Sequence, residues 1–111
     1  MESTRLQKVS KLLLKELSII FQRTGAEYQR KMISVTEVRI TSDLGMAKVF
    51  ISIFPNDNKE DILSQITENK SKIRFELGKK IKNQVRKIPE LSFHIDNSLD
   101  YAEKIDKLLK N

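Results

Sequence analysis

The chain has 111 residues, the size of one domain with a modest core. With 39% hydrophobic and 32% charged residues it is too apolar for a disordered chain. The absence of cysteine excludes disulfides and thiolate chemistry and suits a reducing cytoplasm. The net charge of +6 favours an acidic partner, nucleic acid first, while the lack of any long apolar run excludes a membrane span. The charged first ten residues lack the apolar stretch of a secretory signal, and a single domain over residues 1–111 is expected. The charge is concentrated: residues 70–87 hold eight bases and the single acid Glu76, a net +7, so the remainder sums to −1.

The spacing of Leu6, Val9, Leu13, Leu17 and Ile20 predicts a helix over residues 4–23, with Lys8, Lys11 and Lys15 on the opposite face. Gly25 is placed to end it in the left-handed cap conformation. Residues 33–41, rich in Val, Ile and Thr, read as a strand. Its apolar phase slips by one residue between Val35 and Val38, which predicts a β-bulge. Ser42-Asp43-Leu44-Gly45 is a turn, and Ala47, Val49, Ile51 and Ile53 alternate along a second strand over 46–54, so the two form an antiparallel hairpin. Ile62, Leu63 and Ile66 mark a helix over 59–68. After a break at Asn69-Lys70-Ser71, the stripe Ile73, Leu77, Ile81 and Val85 marks another over 72–87, stopped near Pro89. Leu91, Phe93 and Ile95 alternate along a third strand. Asn97 or Ser98 then caps a last helix over 99–110, with Ala102, Ile105, Leu108 and Leu109 inward. The order α-β-β-α-α-β-α, with strands that cannot bury their apolar face alone, implies an α+β two-layer sandwich whose three-stranded sheet is covered by helices on one face.

That order resembles the bacterial ribosome-binding factor A family over nearly the whole chain. The residues carrying the resemblance are Arg86-x-x-Pro89-x-Leu91-x-Phe93-x-x-Asp96-x-Ser98, then Val38 with Ser42-Asp43-Leu44 and Ala47-Lys48-Val49-Phe50, Ile73-Arg74 with Leu77, and Arg5 with Val9 in the first helix. The resemblance implies a type II KH-like fold; no enzymatic activity or cofactor is expected, because the sequence holds no acid–base constellation. The resemblance also implies binding to the small (30S) ribosomal subunit and its 16S rRNA during maturation, with support for processing of the rRNA 5′ end, often under cold stress. Release aided in some bacteria by a ribosome-associated GTPase belongs to the same picture, and a monomer is expected. Two departures stand out. An ordinary KH domain clamps RNA with a GXXG loop between helices, and the family usually has an Ala-x-Gly kink there. Here the place reads Asn69-Lys70-Ser71, so close backbone approach that needs glycine is not expected, and Asn69 or Ser71 is left to cap the second helix. Some relatives also carry a longer C-terminal tail, and contacts made by such a tail are not expected here.

The candidate RNA-binding residues are Lys70, Lys72, Arg74, Lys79, Lys80, Lys82, Arg86 and Lys87. A solvated lysine-rich face is the alternative, but a helix built for stability would intersperse acids at i,i+4. Such lysines position a phosphate backbone without reading sequence. Arg5, Lys8, Lys11, Lys15, Arg30 and Lys31 are candidates for a second RNA contact, against a reading as solvent-exposed dressing or guards of a strand edge. Phe75 lies off the apolar stripe. Packing against the preceding helix is the preferred reading and stacking on a flipped-out base the alternative. His94, the only histidine, is expected on the outer face of the sheet rather than at a metal site. Asp96-Asn97-Ser98 reads as a strand exit and helix cap, and no nucleotide-binding or catalytic motif occurs. Gly78 costs a helix about 1 kcal/mol relative to Ala and leaves room for a neighbouring element, or RNA, to approach closely. A general single-stranded nucleic-acid binder is the competing function, disfavoured by few aromatics (6%). A protein-interaction module using the hairpin edge or the acidic 55–69 segment is another.

Overall fold

A computed structural model describes residues 4–96 of the chain. The expected helix 99–110 and its caps Asn97 and Ser98 lie outside the described residues.

The first helix, α1, spans Thr4–Thr24 and buries Val9, Leu13, Leu17, Ile20 and Phe21, so the three-and-four spacing does set its inward face. Its exit differs from the expectation. No glycine has a positive φ. Gly25 instead opens a 3₁₀ turn, Gly25–Glu27, and is buried. A Cβ there would meet the Lys31 carbonyl oxygen at 3.1 Å, so close packing of the returning chain is what asks for glycine. The left-handed conformation falls later, on Gln29 and Arg30, with φ of 56° and 57°.

Strands β1 (Met32–Ile40) and β2 (Met46–Phe54) form the hairpin. The register shifts between Val35 and Glu37, where the phase slip predicted a bulge. Thr36 is the extra residue, and its hydroxyl bonds the Phe50 carbonyl (3.2 Å) and Asp96 (2.5 Å). Helix α2 spans Lys59–Glu68 and α3 spans Lys70–Ile81. They carry the chain across to β3 (Glu90–Ile95), which pairs parallel with β2, so the order is β1-β2-β3 with β2 central. A parallel neighbour needs such a crossover, because a tight turn can only reverse direction. Ile62 and Ile66 of α2, Ile73, Leu77 and Ile81 of α3, and α1 cover one face of the sheet. They meet Ile33, Val38, Ile40, Ala47, Val49, Ile51, Ile53, Leu91 and Phe93 in one core. Phe21 and Phe93 meet edge to face, with centroids 6.0 Å apart. This is an α+β two-layer sandwich of the type II KH-like kind. Among the described residues no helix is long and apolar enough to cross a membrane.

The second helix of the crossover departs from its predicted bounds at both ends. It starts at Lys70, not 72, and stops at Ile81, not 87. Lys82 to Gln84 form a turn closed by Gln84 N–H on the Ile81 carbonyl (2.8 Å), and Val85 N–H reaches the same oxygen (3.1 Å). Val85 still packs on the core and keeps that i→i−4 bond, so the apolar stripe continues past the end of the regular helix.

Candidate nucleic-acid interface

The turn after α3 gives the basic segment two geometries. Lys70, Lys72, Lys79 and Lys80 project from the helix, while Lys82, Arg86 and Lys87 lie on the loop that follows. All seven are exposed or half-exposed and none forms an ion pair among the described residues. Lys70 and Lys72 stand in the first turn of α3, which contains no acid. Cations there oppose the positive end of the helix dipole, so stability alone would not select them. Glu76, the lone acid, is neutralised from outside: Arg23 of α1 donates to it at 2.6 Å. Sequence reasoning passed over Arg23. The signal available was an unmatched acid in a basic helix.

Arg74 does not belong to this face. Its Nε donates to the Pro89 carbonyl (3.0 Å) and its Nη2 to the Ile88 carbonyl (2.6 Å), with Glu90 at 3.9 Å. The planar guanidinium thus fastens the entry into β3 to α3, with two of its five N–H donors held by backbone carbonyls. Phe75 corrects a second expectation. It does not pack on α2; it is 64% exposed, with Lys79 Nζ 4.7 Å from its ring centroid. Gly78 admits no unusually close neighbour either, since an added Cβ would meet Ile88 Cγ1 at an ordinary 3.6 Å.

The second set of candidates divides. Lys8, Lys11 and Lys15 are exposed on α1 and line a groove of about 390 Å³ whose other wall is Gln84 and Val85. A neighbouring groove of about 340 Å³ continues past Arg5 and Lys8 to Leu44 of the hairpin turn. The far wall of the α1 lysine ridge is thus part of the loop that carries Lys82, Arg86 and Lys87, although Gln84 and Val85, not those three bases, line the groove. Lys31 is a correction. It is 7% exposed, and its Nζ donates to Asp57 at 2.8 Å. Gln29 likewise donates to Asp61 (3.0 Å), so the turn before β1 is fastened to the acidic segment. Arg30, between them, is exposed but stands away from the groove lining.

At the KH-loop position the bend is made by Asn69, which ends α2 and precedes α3 with φ −94° and ψ 8°. Its side chain does not cap α3. It donates to the Tyr28 hydroxyl (3.1 Å), and Ser71 lies inside the helix. The Lys31 ammonium holds the Asp57 carboxyl below its ordinary range, by hydrogen bond first and charge second. Asp43 is lowered by the Thr41 hydroxyl, then the Gly45 N–H, with a smaller contribution from Lys87. On the open face of the sheet His94 Nε2 lies 2.7 Å from Ser92 Oγ, and among the described residues no group of three metal-ligating side chains occurs.

A profile of the family described as "Ribosome-binding factor A" matches residues 5–109. Curated relatives of that name include one from Christiangramia forsetii, 42% identical over 98% of this chain and 85% of its own length. Another, from Brevibacillus brevis, is 38% identical over 99% and 90%. Among solved structures, ribosome-binding factor A from Thermus thermophilus matches with a TM-score of 0.69 at 18% identity, covering 81% of this chain and 94% of that one. Coordinates of the Thermus thermophilus protein fitted into a cryo-EM map of its 30S complex match at a TM-score of 0.52 and 19% identity, covering 74% and 93%. At these identities the two structures speak to the fold alone.

Proposed function

The chain belongs to the ribosome-binding factor A family, and from that premise we propose that it binds the small ribosomal subunit through 16S rRNA phosphates, as a single-domain cytoplasmic monomer without enzymatic activity. The observation that carries this reading is the set of exposed bases on α3 and the loop after it, with the α1 ridge across a groove from that loop. Its lysines form no ion pair among the described residues, and Lys8, Lys11 and Lys15 line the groove itself. Unpaired cations of this kind attract a polyanion and release its counterions, which gives affinity without sequence reading. The finer reading is support for subunit maturation, including 5′-end processing of 16S rRNA under cold stress, followed by release with a ribosome-associated GTPase.

The test is co-sedimentation of the purified protein with separated subunits at two salt concentrations. With about five phosphates neutralised, affinity for the small subunit falls roughly a hundredfold between ~50 and ~200 mM salt. Equal binding to both subunits would reduce the protein to a general RNA binder. Binding that ignores salt would remove the basic surface from the account.

A further inference from the structure

We infer that Phe75 is a stacking platform for an unpaired base of the RNA strand whose phosphates the surrounding lysines hold. The inference rests on the reading of the basic face as an RNA surface and adds a base-contacting residue to it.

Phe75 points away from the core. It is 64% exposed on a helix whose buried stripe is Ile73, Leu77 and Ile81. At 3.6 residues per turn, Lys72, Lys79 and Lys82 fall with it inside an arc of roughly 80° on the outer side of α3 and its first continuing turn. Lys79 Nζ sits 4.7 Å from the ring centroid, close enough for a cation–π contact. An exposed phenylalanine costs solubility and contributes nothing to this core, so its surroundings indicate what it meets. The centre of a protein–protein interface is depleted in lysine. An aromatic ring among lysines is instead the arrangement used for single strands, with bases on the ring and phosphates on the cations. A phosphate held by Lys79 or Lys82 leaves the attached nucleotide within reach of the ring, and the one acid on the helix, Glu76, is already paired with Arg23.

The chain has no tryptophan, so F75W places a single reporter at the site. Its emission is followed while a short oligouridylate, or the same-length abasic strand, is added. Binding is measured separately by anisotropy of the labelled strand, with wild type, F75A, F75L and K79E/K82E in parallel. The expected result is quenching by the base-bearing strand and none by the abasic one at equal occupancy. F75A and F75L lose roughly five- to a hundredfold in affinity for the base-bearing strand and little for the abasic one, with unchanged thermal stability. F75W retains wild-type affinity. Unchanged affinity in F75A, or equal losses on both strands, would overturn the stacking role even while K79E/K82E still weakens binding. If K79E/K82E also binds both strands like wild type, the underlying reading of the basic face has failed.

Discussion

On the open face of the sheet, Arg39 lies 3.2 Å from Glu37 and 5.3 Å from the centroid of Phe50, and Phe50 neighbours His94, which is within 2.7 Å of Ser92. On the outer face of α3 and the loop after it, Lys72, Lys79, Lys82, Arg86 and Lys87 have no ion-pair partner among the described residues. Both surfaces carry cations and an aromatic side chain, yet the first meets its needs largely from within the protein and the second leaves them open. The difference lies in availability and not in the number of bases a surface carries. What counts is whether a carboxylate or carbonyl already occupies the donor.

The comparison breaks most directly by charge reversal on each side. K79E/K82E is expected to lower affinity for the small subunit about ten- to a hundredfold and to make its salt dependence shallower by roughly 1.4 in log–log slope, whereas R39E stays within about twofold. Equal losses in subunit binding assays would show that overall charge alone matters. Arg74 sharpens the contrast within α3 itself. R74A should cost about 1–2 kcal/mol in urea unfolding, because it releases two carbonyls from a half-exposed guanidinium. R74K should recover little, since one ammonium cannot reproduce the fork. A phosphate-binding role would give the opposite pattern, with unchanged stability and lost RNA affinity.

A smaller effect comes from the acidic segment. The folded carboxyl of Asp57 titrates below its ordinary 3.8, so it contributes stability that is present above that value and lost as pH falls through the folded one. Wild type should therefore lose thermal stability below about pH 4, and D57N should lose less of it there. A D57N acid limb identical to wild type would show that the Lys31 pair does not matter to folding. The smallest change is G78A. An added methyl meets Ile88 at ordinary distance in a helix interior, so a gain of about 0.5–1 kcal/mol is expected with RNA affinity unaltered.

Local pattern was enough for the elements. The period of Val9, Leu13, Leu17 and Ile20, the alternation of Ala47 to Ile53 and the slip at Val35 each report which side of the chain meets the core. The need to bury apolar surface acts residue by residue, so the strands, the bulge and the helices over the described residues were legible. The concentration of charge in 70–87 was legible for the same reason. What the sequence left open were relations between distant residues. Val85 satisfied helical spacing from the turn that follows α3, because spacing records burial and not how far the regular helix continues. Arg74 and Lys79 look alike in the chain, but only the folded path of Ile88 and Pro89 brings two carbonyls to one of them. Lys31 became an internal ion pair because Asp57 arrives from across the sheet's hairpin. The α1 ridge joined the loop after α3 because those segments pack side by side. Composition and periodicity thus determined the fold class and the sign of the charge that dominates residues 70–87. Tertiary structure decided which of those cations remain unpaired, since a charge is available only where the fold supplies no nearer counter-charge.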